Sequence, residues 1–381
     1  MKVLYDYQAF TFQYFGGVSK CFCELIKNRP VEEQYEISLK YSNNTHLLSS
    51  CLKVSVEKPI IDELMLEKLR IKGRRYISNI LKHVPFSPMA EAANMKETIK
   101  CLKQGNFDIF HPTFFDDYFI PYLNGKPFVI TIHDMMPELY NFWKGDLQIK
   151  NKKKLCDAAS AIIAVSENTK KDLVDMLNIA ADKVHVIYHG GPECPSKWGD
   201  RILSYRYFLY VGHRNSYKNF QLLISEFSII KDKYPDVHLV CTGVPFSEDE
   251  ISIIKKHNLQ DRITQVMVSD ADLSNLYHYA DFFIYPSLYE GFGMPILEAF
   301  SNRCPVILSN CSCFPEVAGD AALYFDTDGF SSNIAHVIDK FYNLDGCQVD
   351  SLIDKGIQRL DYFNWKRSSK MLYQLYMNVI S

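Results

Sequence analysis

Short apolar runs bounded by turn residues alternate with amphipathic helical patterns along the whole chain. That alternation limits the folds open to it. In the N-terminal half, strands are expected near Lys2–Tyr7, Tyr35–Lys40, Asp108–His111, Phe128–Ile132, Ala161–Val165 and Val184–Tyr188. Helical patterns separate several of them, notably Val18–Arg29, Leu147–Ala159 and Glu167–Leu177. The C-terminal half repeats the plan. Its strands are expected near Tyr207–Val211, Val237–Thr242, Ile263–Val268, Asp281–Tyr285 and Pro305–Leu308. Its helices are expected near Asn219–Tyr234, Glu248–His257, Ala271–Tyr279 and Pro295–Asn302, and Ser247–Glu–Asp–Glu250 has the pattern of a capping box. Strand–helix alternation in both halves argues for two doubly wound α/β domains. The breaker-rich Gly190–Gly–Pro–Glu–Cys–Pro195 is the natural linker, so the expected domains are 1–192 and 193–362. Residues 363–381 hold one more amphipathic helical pattern.

At 381 residues the chain is long enough for two cores, and 47% hydrophobic with 23% charged residues argues against disorder. A net charge of −3 gives no reason to expect nucleic acid. No apolar run reaches the roughly 18 residues that span a bilayer, and Met1–Asp6 enters a strand without a signal-peptide core. The eleven cysteines include the CxC pairs Cys21/Cys23 and Cys311/Cys313 but no zinc-ribbon spacing. They read as buried or indifferent thiols of a reducing compartment, so a cytoplasmic protein is expected.

The segment Tyr285–Pro–Ser–Leu–Tyr–Glu–Gly–Phe–Gly–Met–Pro–Ile–Leu–Glu298 carries the most chemistry. Two carboxylates lie eight residues apart around a glycine-broken turn that leads from a buried strand into a helix. Gly291 and Gly293 permit positive φ or close approach of a ligand to the backbone. Pro295 suits the first helical position, and Glu298 is expected in the first turn, beside unpaired amides. Amides aimed at an anion, with carboxylates that accept from hydroxyls, suit a nucleotide sugar. Either glutamate alone could equally be a solvated or dipole-complementing residue.

This segment resembles the signature of retaining glycosyltransferases of family 4, which have the GT-B fold, and the resemblance runs over essentially the whole chain. It implies two Rossmann-like domains facing a central cleft, the first for the acceptor and the second for the nucleotide-sugar donor. It also implies that the terminal helix crosses back onto the first domain. His111–Pro–Thr–Phe–Phe–Asp–Asp–Tyr–Phe119 is similar to a loop of a mannosyltransferase-like subgroup.

The other motifs are weaker alone. Gly16–Gly17 opens a helix after the first strand, either as a tight turn or as a backbone that approaches the donor diphosphate or the acceptor. Arg214 and Lys218, four apart after the first strand of the second half, could be solvated cations. The resemblance assigns them to the pyrophosphate, where a guanidinium and an ammonium would offset charge on the leaving group. It assigns His133, at the end of Phe128–Ile132, to a hydroxyl of the donor sugar, although a lone histidine there is often structural. Many relatives have a glycine ahead of the segment matching Val268–Leu273. Here Gln265–Val–Met267–Val268 occupies that region, so the base would meet backbone near Met267 and Gly243. Ser166 and Thr169 of Val165–Ser–Glu–Asn–Thr–Lys–Lys–Asp–Leu173 are expected to cap a helix. The basic and apolar tract Lys68–Lys82 could be a solvated helix face or a peripheral membrane contact.

The expected activity is therefore retaining transfer of a hexose, mannose first, from a GDP- or UDP-linked donor to a glycan or lipid-linked acceptor. Surface polysaccharide synthesis is the expected setting. The resemblance implies that the Arg214/Lys218 pair serves in place of a metal, and no Asp-x-Asp motif stands in a suitable context, so no metal or other cofactor is expected. Catalytic roles fall to Glu290, His133, Arg214 and Lys218. Donor contacts fall to Gly16, Gly17, Arg214, Lys218, Gly243, Met267, Glu290, Gly291, Phe292, Gly293, Met294, Pro295 and Glu298. Two alternatives stay open. An epimerase or hydrolase of the same fold would isomerise or cleave a donor without acceptor. An inactive nucleotide-sugar-binding partner subunit would have lost a glutamate or a cation, and all four are present.

Overall fold

The computed structural model describes residues 1–12, 14–54, 56–57, 88–140, 147–214 and 216–381. The tract Lys68–Lys82 lies outside the described residues. The chain forms two compact units. The first comprises Met1–Val165, Lys170–Ile187 and Trp365–Ser381, the second Ser166–Thr169 and Tyr188–Asn364.

In the first unit β1 (Lys2–Tyr5) lies between β2 (Gln34–Ile37) and β3 (Ile109–His111), all parallel. A second parallel run orders β4 (Val129–Ile132), β5 (Ala161–Ala164) and β6 (Val184–Val186), and a parallel bridge from Phe110 to Phe128 joins the two runs. All four residues of β4 and of β5 are buried, so these strands read as continuous apolar runs rather than alternating ones. That is the mark of a parallel sheet covered on both faces. The terminal helix Trp365–Ile380 packs within this unit. Ser369 donates to the Leu25 carbonyl at 2.9 Å, and the Tyr376 hydroxyl lies 2.6 Å from His111 Nδ1 and 3.1 Å from the Tyr5 hydroxyl.

The second unit is one six-stranded parallel sheet in the order β12-β11-β10-β7-β8-β9. Its strands are β7 (Arg206–Tyr210), β8 (Val237–Thr242), β9 (Ile263–Val266), β10 (Phe283–Tyr285), β11 (Val306–Ser309) and β12 (Ala322–Phe325). From one edge this is the 3-2-1-4-5-6 order of doubly wound dinucleotide folds, with the switch point between β7 and β10. Phe208, Phe227, Phe282 and Phe341 stack in its core, and each buried aromatic is worth about 2–3 kcal/mol of transfer free energy. The helix Glu248–Lys256 starts at the expected capping box, with Ser247 and Glu250 bonded reciprocally. A second box, Asp345/Gln348, starts the helix Gly346–Tyr362.

Several elements escaped the sequence reading: the edge strand β12 and the helices Pro88–Gln104, Ile334–Tyr342 and Gly346–Tyr362. Among the described residues, no helix is long and apolar enough to cross a membrane.

Candidate active site on the second unit

The loops leaving β7 and β10 flank the switch point, where parallel sheets bind ligands outside their carboxyl ends. They bring together two of the expected residues. Lys218 closes the short 3-10 turn Ser216–Lys218, and its Nζ lies 2.5 Å from Glu290 Oε1 and 3.1 Å from the Tyr285 hydroxyl. Both charged side chains are largely shielded, at 13% and 14% exposure. The Leu288 amide donates to the Tyr217 carbonyl at 2.8 Å and ties the two loops together. Burial first, and then the Glu290 charge, holds the Tyr285 phenol well above its ordinary pKa, so it stays a neutral donor and acceptor.

Glu290 sits on a backbone held by side chains. Its amide donates to Ser312 Oγ at 3.1 Å, while Ser312 Oγ and Cys313 Sγ donate to its carbonyl at 2.6 and 3.2 Å. Ser312 takes a left-handed φ of 53° to do this. Gly293 is the N-cap of the helix Met294–Ser301 at φ 87°, a conformation that penalises other residues. A Cβ there would also stand 3.0 Å from Ile296 and 3.2 Å from Phe314. Gly291 is not among the residues with positive φ, so its glycine answers no such demand.

Three expectations about this segment change. Helix Met294–Ser301 begins one residue earlier than expected, which puts Pro295 at the second position rather than the first. Glu298 consequently lies in the second turn, with its Oε2 3.4 Å from the Tyr277 hydroxyl, so the dipole argument for its placement lapses. The ring of Phe292 is buried among Tyr188, His189 and Phe363, which leaves only its backbone to meet a ligand.

Arg214, expected at the pyrophosphate, is engaged within the protein. Its side chain is only 2% exposed. Nε donates to Glu250 Oε1 at 2.7 Å, and Nη2 donates to the carbonyls of Val244 and Pro245 at 2.6 and 3.1 Å. Phe246 lies 4.8 Å beneath the guanidinium. A guanidinium fork so engaged supports the turn after β8 rather than presenting itself to an anion. Of the expected cation pair, the structure brings only Lys218 to Glu290.

Gly212 and Gly243 follow β7 and β8 at φ 112° and 105°, so both turns favour glycine by conformation. A Cβ on Gly243 would also stand 3.1 Å from the Gly212 carbonyl. Met267 follows β9 and is 78% exposed.

Gly16 is the extended N-cap of the helix Gly17–Lys27, and nothing lies within 4 Å of where a Cβ on Gly17 would be. His133 follows β4. Burial, then the Lys152 charge, lowers its pKa to about 4, so its imidazole is neutral at pH 7. Lys152 pairs with Glu138 at 2.8 Å and donates to the Asp134 carbonyl at 3.1 Å, which steadies the loop that carries His133. In the loop resembling the mannosyltransferase subgroup, Thr113 donates to the buried Asp6 carboxylate through its amide at 2.8 Å and its hydroxyl at 2.6 Å.

The sequence reading missed the grip of Ser166 and Thr169 on the Gly291 carbonyl and that of Ser312 on Glu290. Nothing in residue type or spacing announces either.

A six-stranded parallel sheet in this order is a doubly wound α/β unit, with a shielded lysine–carboxylate pair at its switch point. Comparison with known proteins agrees. The family model for Glycosyltransferase Family 4 matches residues 67–190, and that for Glycosyl transferases group 1 matches residues 200–356. The chain is 27% identical over 269 residues to O-antigen chain mannosyltransferase B of Escherichia coli, covering 65% of this chain and 69% of that one. It is 30% identical over 215 residues to O-antigen chain mannosyltransferase RfbU of Salmonella typhimurium, covering 55% and 59%. Among solved structures, Anabaena Alr3699/HepE in complex with UDP and glucose superposes with a TM-score of 0.72 at 16% identity, covering 98% of each chain. A glycosyltransferase from Rickettsia africae gives 0.68 at 16%, covering 100% and 98%. The chain belongs to the GT-B glycosyltransferases, with a family 4 part followed by a group 1 part.

Proposed function

We propose that this glycosyltransferase moves mannose, with retention of configuration, from a nucleoside diphosphate to a sugar hydroxyl of a glycan or lipid-linked glycan. The proposed setting is bacterial surface polysaccharide synthesis. The observation that carries the reading is the Lys218–Glu290 pair at the switch point of the second unit's sheet. The two O-antigen mannosyltransferases support the choice of sugar.

In this reading the donor diphosphate takes Lys218 from Glu290. The freed carboxylate accepts from hydroxyls of the sugar, and the amides that begin the helix Met294–Ser301 face the phosphates. Glu298 accepts from the ribose, the base rests near Gly243 and Met267, and the neutral His133 holds a further sugar hydroxyl. Gly16 and Gly17 offer backbone to the diphosphate or the acceptor. As the bond from the anomeric carbon to the phosphate oxygen breaks, the acceptor oxygen bonds to that carbon on the same face. The departing phosphate takes the acceptor proton. Preorganised positive charge at the leaving group is the main catalytic contribution, and no metal is invoked. An ammonium about 4 Å from a phosphate oxygen is worth roughly 4 kcal/mol at an effective dielectric of 20.

Two measurements test the reading. A thermal-shift panel of GDP and UDP should show one of them raising the melting temperature, because only the folded chain binds it. Transfer from GDP-mannose should fall at least ~100-fold in both Glu290→Ala and Lys218→Ala, a barrier change of a few kcal/mol. Near-normal turnover in both variants would sink the proposal.

A further inference from the structure

The loop that carries Glu290 is gripped at a second point, the Gly291 carbonyl, by residues outside the Glu290–Glu298 signature. Ser166, fully buried, donates from Oγ to the Gly291 carbonyl at 2.7 Å. Thr169, also fully buried, lies 3.3 Å from the same carbonyl through Oγ1. Ser166 Oγ in turn accepts the Thr169 amide at 3.0 Å and so caps the helix Glu167–Leu177. The two preceding amides, of Glu167 and Asn168, donate to the Glu316 carboxylate at 2.7 and 3.2 Å. Ser166–Thr169, Gly291 and Glu316 all belong to the second unit.

A helix cap needs only the acceptor lone pairs of its serine. Beyond the cap, the hydroxyls of Ser166 and Thr169 reach one carbonyl in the loop that carries Glu290, and lie 3.0 Å from each other. Ser312 holds the amide and carbonyl of Glu290 itself, as described above. The loop is therefore fixed at three backbone atoms by three hydroxyls from two other segments.

We propose that Ser166 and Thr169 are positioning residues for glycosyl transfer, which hold the Gly291 carbonyl so that the Glu290 carboxylate meets the donor in register. The inference rests on the role proposed for Glu290. A carboxylate that acts by geometry loses effect when its backbone relaxes, even though no group in contact with the substrate has been removed.

The test is a mutant cycle on the full chain, with GDP-mannose as donor and methyl α-mannoside as acceptor, reading kcat and KM. Ser166→Ala should lower kcat about 10-fold with a smaller change in the donor KM, as expected for misplacement rather than lost binding. Thr169→Val, which keeps the shape and loses the hydroxyl, is the milder variant should Ser166→Ala fold poorly, and Thr169→Ser should restore the rate. In a Glu290→Gln background the Ser166→Ala and Thr169→Val effects should largely vanish, because both act through that carboxylate. Equal losses in both backgrounds, or lower melting temperatures with kcat intact, would overturn the inference. Wild-type turnover in Glu290→Gln alone would overturn the Glu290 assignment, a separate and distinguishable failure.

Discussion

Lys218 Nζ stands 2.5 Å from Glu290 Oε1, so the residues proposed for the leaving phosphate and for the sugar neutralise each other. Each is only 13–14% exposed, and under the proposed function a donor replaces one partner for each. There the lysine would exchange a carboxylate for a phosphate, and the glutamate an ammonium for hydroxyls.

This pairing separates stability from activity. Removing one partner leaves a shielded charge unpaired, at a cost of up to about 3 kcal/mol that solvent reduces at 13–14% exposure. Lys218→Met and Glu290→Gln should each lower the melting temperature, while the double variant should recover much of that loss. Transfer should stay at least ~100-fold down in all three. A double variant that melts below both singles would show the pair to be something other than a charge-matched couple.

Arg214 and Lys218 should differ. Arg214→Ala removes bonds to Glu250 and to the carbonyls of Val244 and Pro245 and should destabilise the protein by about 1–3 kcal/mol. Its kcat should stay within roughly 10-fold of wild type, against the ~100-fold loss in Lys218→Ala. The contrary result, lost nucleotide binding at an unchanged melting temperature, would restore Arg214 to the phosphate.

Acid should weaken the first unit through its histidines. His133 has a folded-state pKa lowered to about 4 by burial and by Lys152, and His111 one lowered to about 3 by burial and by His133. Unfolded histidines take up protons near pH 6.5, where the folded ones refuse them. Stability is therefore full above pH 6.5 and is lost as pH falls toward 4. For His133 alone the loss approaches about 3 kcal/mol at pH 4. Between pH 7.5 and 5, His133→Asn should lose less urea stability than wild type, a comparison that cancels the opposite contribution of Glu33, whose pKa burial raises to about 7.

Gly356 illustrates a glycine that tight packing requires. A Cβ there would lie 2.5 Å from Cδ1 of the buried Phe300 ring. Alanine ordinarily favours a helix interior by about 1 kcal/mol over glycine, but overpacking costs about 1–3 kcal/mol. Gly356→Ala should therefore lower the melting temperature; a rise would show that Phe300 yields easily.

Much of the architecture was legible because it depends on local rules. Ala161–Ala164 is too short and too apolar to be anything but a buried strand, and Ser247 with Glu250 announces a helix start from residue type alone. The edge strand Ala322–Phe325 was not legible. Its four residues form an apolar run too short for periodicity to separate strand from helix. Within the site, the spacing of Glu290 and Glu298 and the position of Lys218 could be read, but the company each side chain keeps could not.

Chain order alone determined that strands and helices alternate, that a glycine-broken turn follows a buried strand, and that acidic and basic groups lie near strand ends. These follow from periodicity and backbone preference, which act over a few residues. The tertiary structure alone decided that Arg214 pairs with Glu250, and that Phe292 turns into an aromatic cluster. It alone decided that the hydroxyls of Ser166 and Thr169 meet a carbonyl more than a hundred residues away. Where a side chain ends is set by which partner desolvates it at least cost, and that partner is chosen by packing between segments distant in sequence.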